Sequence, residues 1–134
     1  MYTYGTSSRE KLLTVDSKLR ELAIRALAES KYDISIIDGL RTTEQQQELF
    51  AKGASEADGV MRLSAHQSGR AIDVLPWVAG KDMWDYSDVE VRAIWAEVHR
   101  AFMRTARLMG LPIEMGVTYT MKDGSYDYPH IQLG

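Results

Sequence analysis

One stretch organises this sequence: SAHQSGRAID, from Ser64 to Asp73. It places one of the three histidines, His66, seven residues before Asp73. Asp73 lies inside an apolar, alternating run, for which we predict a strand over residues 71–75 that ends at Pro76. On such a strand the apolar side chains share the face that packs in a core. The Asp73 carboxylate is then expected on the opposite face, in a cleft.

A second stretch, DYPH from Asp127 to His130, supplies the other half of the pattern. Alternation along a final strand places His130 away from the core and toward the same cleft. His66, Asp73 and His130 match in number and type the ligands of a catalytic zinc site, which leaves a fourth position for water. From spacing alone, a hydrogen-bonded buried His66 and a capping Asp73 stay open as alternatives.

Asp127 precedes His130 by three residues and can approach a metal-activated water as a general base. The alternative is an aspartate in a turn after residues 124–125, a common position for this residue type. Beside a predicted ligand, we prefer the general base. Gly69 permits the tight turn that folds the first stretch back onto one metal.

The composition is that of one soluble globular domain, with 45% apolar and 26% charged residues over 134 positions. A net charge of −3 without a basic cluster gives no indication of nucleic-acid binding. Cysteine is absent, so any metal must bind histidine and carboxylate ligands. Apolar runs fall short of the ~20 residues of a membrane helix, and residues 1–9 lack signal-peptide features. We therefore expect synthesis in the cytoplasm without a signal peptide, and no membrane insertion.

A helical pattern starts at Ser7 and Ser8, which can cap it, and continues to Glu29 with a break or second N-cap at Asp16. An alternating, β-branched strand follows over residues 33–38. The helical part is expected to serve as scaffold, whereas the strand delivers Gly39, Leu40 and Arg41 at its end.

Arg41 follows that strand, at its junction with the next helix. Thr43 and Gln46 predict a capping box at the start of this helix, which runs to about Lys52. The small, polar residues 54–63 predict a loop over or beside the site. On position alone, Arg41 is a surface or helix-capping arginine.

Residues 78–86 predict an irregular connection rich in aromatics. Ser87, with Glu90 three residues later, predicts the cap of a long helix that has one apolar face and ends at Gly110. His99 lies off that face, so we expect it to be solvated.

The last segment has β character, with strands predicted over residues 113–121 and 126–133 around a turn at 122–124. Together the patterns predict an α+β fold, in which helices pack on a small antiparallel sheet. No linker or repeat divides the chain, so residues 1–134 are predicted to form a single domain.

The motifs S-x-H-x-x-G-x-A-x-D, at 64–73, and D-x-x-H, at 127–130, resemble those of the zinc D,D-carboxypeptidase and D,D-dipeptidase superfamily, which cuts peptidoglycan peptides. More narrowly, the chain is similar to phage endolysins that act as L-alanyl-D-glutamate peptidases. Other stretches share the resemblance: 39–42, 45–49, 53–55 and 127–131. It covers nearly the whole chain, in order.

The resemblance implies a Hedgehog/D,D-peptidase-like fold with zinc bound by His66, Asp73 and His130, and Asp127 as the general base. It also makes Arg41 the cation that binds the substrate or its developing oxyanion. Ser64 matches a serine that contacts substrate or supports a ligand. The alternative for Ser64 is a loop hydroxyl that bonds its own backbone.

The implied protein is a monomeric phage-type endolysin, a catalytic domain that hydrolyses the peptidoglycan stem peptide. The L-Ala–D-Glu bond is favoured because an aspartate, Asp127, holds the place where enzymes that cut D-Ala-D-Ala carry glutamate. The enzyme would reach the cell wall after the membrane is permeabilised. Residues 115–119 depart from the phage pattern, at the wall of the cleft.

Two rival functions stay open at this point. One is a D,D-carboxypeptidase or D-Ala-D-Ala dipeptidase on the same zinc site, and the other is a non-catalytic wall-binding module. The ligand set also accepts other divalent metals.

Overall fold

The computed structural model describes residues 1–118 and 120–134. Within these ranges the helices are α1 (Thr6–Leu12), α2 (Ser17–Glu29), α3 (Thr43–Ala51) and α4 (Val89–Met109). The strands are β1 (Asp33–Asp38), β2 (Ala71–Val78), β3 (Lys81–Asp82), β4 (Ile113–Met115) and β5 (His130–Leu133). Short 3₁₀ helices cover Ala65–Ser68 and Gly116–Thr118.

The strands form one antiparallel sheet in the order β1-β2-β5-β4, and the short β3 also pairs with β2. The last strand of the chain therefore lies between two earlier ones. In the β2–β5 ladder, Asp73 pairs with His130. The predicted α+β class, with helices on a small antiparallel sheet, is confirmed.

The core lies between the sheet and the helices: α2 packs on α4, α4 contacts β2 and β4, and α1 contacts β1. Ile72 and Val74 are fully buried, whereas Asp73 between them is half-buried, as alternation predicts. Burying one large apolar side chain stabilises the fold by roughly 1.5–3 kcal/mol. The largest buried side chains include Trp95, Phe102, Leu19, Leu22, Leu27, Ile36, Ile72 and Ile131. No helix of the described residues is both long and apolar enough to cross a membrane.

The predicted break near Asp16 is confirmed, because the Asp16 side chain caps α2 by accepting a hydrogen bond from the Lys18 amide at 2.8 Å. The predicted cap of α1 is wrong. Gly5 is the N-cap, and Ser8 lies buried within the helix. The Ser8 hydroxyl accepts a hydrogen bond from the Ile36 amide at 2.9 Å, so it ties α1 to β1.

The capping box of α3 lies one residue before its predicted position. Thr42 is the N-cap and Gln45 its partner, instead of Thr43 and Gln46. Gln46 is fully buried, and its side-chain oxygen accepts a hydrogen bond from Arg41 Nη1 at 2.9 Å. With its side chain occupied by Arg41, Ser55 and Ala57, Gln46 is not available for the capping box, which uses Thr42 and Gln45.

Two predictions about α4 are also wrong. Asp88, rather than Ser87, caps its N-terminus, whereas the predicted end at Gly110 is confirmed. His99 is buried, not solvated, because the segment that contains Tyr128 covers it. Its Nε2–H donates to the Tyr128 carbonyl oxygen at 2.9 Å.

Pro76 does not end β2, which continues to Val78. The Pro76 carbonyl accepts a hydrogen bond from the Met83 amide at 3.2 Å, so the proline nitrogen faces that side and leaves the ladder with β1 intact. The predicted irregular connection is partly a hairpin. Ala79 and Gly80, with φ of 51° and 77°, turn the chain from β2 into β3.

The C-terminal β segment is shorter than predicted. After β4 the chain enters the 3₁₀ helix Gly116–Thr118, and an isolated bridge joins Thr120 to Tyr126 around the predicted turn. Tyr119, which belongs to the predicted strand 113–121 and to the departing stretch 115–119, lies outside the described residues.

Candidate metal centre

Three side chains from separate segments converge where β2 meets β5. Asp73 and His130 are cross-strand partners, and His66 comes from the 3₁₀ helix Ala65–Ser68. One donor atom from each lies within 4.8 Å of the other two. The structure thus brings together the three residues that the sequence predicts as ligands.

His66 is 1% exposed, and its ring is fixed by the backbone. Nδ1 lies 2.8 Å from the Gly39 carbonyl oxygen, which can only accept, so Nδ1 carries the proton and donates it. In neutral His66 the lone pair is therefore on Nε2. This nitrogen lies 3.2 Å from Asp73 Oδ1.

His130 is fixed the other way round, by a side chain. Its Nε2 lies 2.7 Å from Gln132 Oε1, whose amide nitrogen donates to Glu114 Oε2 at 3.2 Å. The Gln132 oxygen therefore accepts from His130 Nε2–H. This leaves the lone pair on Nδ1, which lies 3.5 Å from Asp73 Oδ1.

This donor set fits a metal ion. With both histidines neutral, two nitrogen lone pairs and a carboxylate oxygen face one another, which is unfavourable unless a cation or protons lie between them. Ligands at ~2.0–2.1 Å in a tetrahedral zinc site are ~3.3 Å apart, close to the 3.2 and 3.5 Å observed here. The Gly39 and Gln132 acceptors are the outer partners that orient metal-binding imidazoles.

The electrostatics of the metal-free protein point the same way. Burial opposes ionisation of Asp73, but hydrogen bonds and charge from His130 and His66 outweigh it and lower the Asp73 pKa. Burial also works against the charged form of His130, yet its contacts with Asp73 raise its pKa. Without a metal, His130 therefore binds a proton more readily than a free histidine, so the site favours a positive charge beside Asp73.

Backbone geometry sets the spacing within the first stretch. Gly69 ends the 3₁₀ helix with φ of 70°, a left-handed conformation that favours glycine, and turns the chain into β2. Ser64 caps the same helix, and its Oγ accepts a hydrogen bond from the His66 amide at 3.2 Å. Ser64 thus supports His66 through the backbone while it also lines the cleft.

Asp127 lines the same cleft, against Gly116. The two backbones approach so closely that a Cβ on Gly116 would lie 2.0 Å from the Asp127 carbonyl oxygen. Burial raises the pKa of Asp127, and the negative charge of Asp73 raises it further. A carboxylate with a raised pKa holds a proton more readily, which suits a group that accepts and returns one.

Arg41 also lines the cleft, but much of its guanidinium is already bonded. Nε donates to Asp38 Oδ2 at 2.6 Å, Nη1 to Gln46 Oε1 at 2.9 Å, and Nη2 to Asp73 Oδ2 at 3.1 Å. An arginine has five N–H donors, so two remain. Arg41 therefore holds Asp73 in place. That Arg41 also binds the substrate or its developing oxyanion stays a prediction, for which the two remaining N–H groups are the donors.

The cleft has a volume of about 260 Å³. Residues of the loop 54–63 form one wall, as predicted, and Met121 and Gln132 contribute to the remainder. Gln46 ties this loop to Arg41, because its side-chain nitrogen donates to Ser55 Oγ at 2.7 Å and to the Ala57 carbonyl at 2.8 Å.

Sequence reasoning missed the residues that hold the candidate ligands. Gln132 shares a strand face with His130, and that alternation could have identified it. The Gly39 carbonyl left no comparable signal, because its contact with His66 spans 27 residues. Asp38 and Gln46 lie three and five residues from Arg41, but no sequence periodicity indicates that their side chains bind its guanidinium.

A His–Asp–His donor set beside a carboxylate, in the cleft of a small α+β domain, is the arrangement of a metal-dependent hydrolase. Comparison with known proteins gives the family within that class. The sequence profile of the phage L-alanyl-D-glutamate peptidase family matches residues 1–133, so the chain belongs to this family of peptidases. The resemblance drawn from the motifs is thereby confirmed.

Individual relatives agree. The chain is 32% identical over 140 residues to the L-alanyl-D-glutamate peptidase of Escherichia phage T5, and the match covers 98% of both proteins. It resembles the solved structure of the Serratia marcescens L-Ala D-Glu endopeptidase ChiX with a TM-score of 0.80 and 29% identity, over 98% of this chain and 90% of that one. The vancomycin-resistance D,D-dipeptidase VanXYg shares the fold, with a TM-score of 0.54 and 14% identity, over 89% of this chain and 50% of that one.

Proposed function

We propose that this protein is a zinc-dependent endopeptidase that hydrolyses the L-Ala–D-Glu bond of the peptidoglycan stem peptide, with residues 1–134 as its catalytic domain. One observation carries the proposal: lone-pair nitrogens of His66 and His130 converge with Asp73 beside Asp127. Support for the bond comes from the family and from two relatives named for this activity.

Zinc held by these three ligands would lower the pKa of a water molecule to about 7 and polarise the scissile carbonyl. Asp127 accepts the proton of the attacking water and passes it to the leaving amine. The two unused N–H groups of Arg41 stabilise the negative charge that develops on the carbonyl oxygen. Ser64 has a hydroxyl proton left to donate to the bound peptide.

We infer bacterial peptidoglycan as the partner, met by a monomer once the membrane of the infected cell is permeabilised. Membership of a phage family supports this place of action. Light scattering of the purified protein tests the monomer, and lysis of cells only after membrane permeabilisation tests the route.

The reaction is tested by digesting peptidoglycan and analysing the fragments by mass spectrometry. Cleavage that frees a D-Glu amino terminus supports the proposal. Loss of only a terminal D-Ala would instead identify a D,D-carboxypeptidase or dipeptidase.

The role of Asp127 is tested by Asp127→Ala, with Asp127→Asn as the variant of matched shape. Both should retain one zinc per chain and lose about 10²–10⁴-fold in kcat. Hydrolysis by the parent protein that is lost in a variant with its zinc retained also argues against a non-catalytic wall-binding module, because such a module has no hydrolysis to lose. Unchanged lysis would remove Asp127 from the mechanism.

A further inference from the structure

The cleft contains a second arginine, Arg62, which the proposed mechanism does not use. It is exposed, unlike Arg41, whose guanidinium is bound to Asp38 and Asp73. Across residues 1–118 and 120–134, no carboxylate lies within ion-pair distance of Arg62. Arg62 thus presents a positive charge in the cleft, whereas the charge of Arg41 is paired with Asp38 and Asp73.

The backbone that carries Arg62 is firmly held. Asp58 Oδ1 accepts hydrogen bonds from the amides of Val60, Met61 and Arg62, each at 2.9 Å, and the Gly59 amide donates to the Arg62 carbonyl at 3.0 Å. This closes a compact turn on the exposed wall of the cleft. The backbone donors on Asp58 Oδ1, together with the nearby positive charge of Arg62, lower the Asp58 pKa, so Asp58 is a charged neighbour of Arg62 although it lies beyond ion-pair distance.

The turn is also connected to the metal centre. Gln67 Nε2 donates to the Gly59 carbonyl at 3.0 Å, and Gln67 Oε1 accepts from the Ser64 amide at 2.9 Å. Gln67 lies in the 3₁₀ helix that carries His66, so the turn and the candidate ligand share one rigid support. The base of the Arg62 side chain is therefore fixed relative to the point of hydrolysis.

The proposed substrate offers a suitable anion. A glutamyl residue has two carboxyl groups, and the bond to the next residue uses only one of them. The other stays free, on the same residue whose amine leaves when the bond is cut, unless it is amidated. A guanidinium binds a carboxylate through two parallel, charge-assisted hydrogen bonds, which a neutral amide cannot match.

We propose that Arg62 binds the free carboxylate of the D-glutamyl residue and makes the enzyme selective for non-amidated peptidoglycan. This inference rests on the proposed function, since it assigns the residue that reads the leaving side of the same bond. Arg62 is a specificity-determining residue and takes no part in proton transfer.

The test uses two disaccharide–tripeptides that differ at one group. Both carry a C-terminally amidated lysine as third residue, and one has D-glutamate where the other has D-isoglutamine. The intact zinc enzyme should cut the D-glutamate substrate with a kcat/KM at least about tenfold higher, the loss expected when one charge-assisted contact of moderate strength is removed. Arg62→Gln should lower kcat/KM about tenfold on the D-glutamate substrate alone, mainly through KM, and bring the ratio close to one.

Arg62→Lys should restore part of the preference, because it keeps the charge without the planar fork. Arg104→Gln, at an exposed arginine of α4, is the control and should leave the ratio unchanged. Equal loss on both substrates, or no preference in the parent enzyme, would overturn the inference while leaving the proposed function in place.

A third substrate, with a free carboxylate on the lysine, identifies the source of the anion. If Arg62→Gln affects only that substrate, the carboxylate bound is the downstream one and the D-glutamyl assignment is overturned. If the parent enzyme cuts none of these substrates at the L-Ala–D-Glu bond, the proposed function falls, and this inference with it.

Discussion

The two halves of the cleft differ in the kind of hydrogen-bond acceptor that orients their histidine ring. In the first half, residues 64–73, the ring of His66 donates to a main-chain carbonyl, that of Gly39. In the second half, residues 116–132, the ring of His130 donates to the side chain of Gln132. The hydrogen bond that orients the His66 ring therefore needs no particular side chain as acceptor, whereas the one that orients the His130 ring needs Gln132.

The second half also relies on close packing. Asp127 fits only because Gly116 has no side chain, and Tyr128 stacks on Tyr86 with ring centroids 4.4 Å apart. The ring of Tyr128 is also nearly parallel to that of His99, with an interplanar angle of 18°. Segments far apart in sequence thus set the position of the proposed base.

The largest effect tests whether the two halves contribute equally to the metal. His66→Ala and His130→Ala should each abolish stoichiometric zinc binding, because two ligands replace three. The measurement is zinc per chain by atomic absorption after dialysis. His99→Gln is the histidine control and should keep its zinc, while a ligand variant that still bound one zinc tightly would refute the assignment.

Gly116→Ala alters the backbone of the second half without replacing a candidate metal ligand. The added Cβ would lie 2.0 Å from the Asp127 carbonyl oxygen, so the backbone at Asp127 must move. A displacement of about 1 Å costs on the order of 10²-fold in kcat, and zinc content should stay near one per chain. Gly5→Ala, where nothing lies within 4 Å of the new Cβ, is the matched control. An unchanged kcat for Gly116→Ala would show that Asp127 need not lie where it does.

Gln132→Ala separates the two ways of fixing a histidine. It removes the acceptor of His130 Nε2–H and should weaken zinc binding about 10–100-fold, as loss of an outer partner does. Gln132→Glu keeps an acceptor oxygen and should retain tight binding. For the first half, Gln67→Ala removes a side chain that supports the backbone near His66 but leaves the Gly39 carbonyl, so its zinc Kd should change less. Competition with a fluorescent chelator measures all three, and equal changes in Gln132→Ala and Gln67→Ala would contradict the comparison.

The smallest effect concerns His99. Burial lowers the pKa of His99, despite its hydrogen bond to the Tyr128 carbonyl. The fold therefore favours neutral His99, and this contribution to stability is present above the unfolded pKa of ~6.5 and is lost as pH falls below it. In metal-free protein, His99→Gln should remove a slope of at most ~1.4 kcal/mol per pH unit, the limit for one proton. Urea unfolding between pH 7 and 5 measures it, and identical slopes in the two proteins would rule out this linkage. The raised pKa of His130 changes the stability with pH in the opposite direction, but this effect is the same in the parent protein and in His99→Gln and cancels in the comparison.

Local patterns were enough to predict much of this fold and the convergence of its site. Alternation gave the orientation of Asp73 and His130, the left-handed turn required a glycine at 69, and the break at Asp16 followed from its capping side chain. Each of these features depends on neighbouring residues alone.

Some of the errors concern which of two neighbouring polar residues caps a helix, and others concern which side chains the folded protein buries. Thr42 and Thr43 are equally able to cap α3, and the burial of Gln46 beside Arg41 decides between them. His99 lies four residues after Trp95 and three before Phe102, both fully buried, so helical spacing already places it beside the apolar face, and the Tyr128 segment completes its burial. The sequence predicts a positive charge at Arg41, but it does not predict that Asp38 and Asp73 bind this charge.

The position of β5 has a consequence for biosynthesis. This strand is synthesised after every other element described, yet it lies between β2 and β4, so the ladder that pairs Asp73 with His130 closes across more than fifty residues of chain. Such distant pairings form slowly, because the chain entropy of closing the loop must be overcome first. Until β5 inserts, a nascent chain has one histidine and one carboxylate of the donor set and an open sheet edge on β2. The proposed three-ligand site is therefore complete only after β5 has joined the sheet.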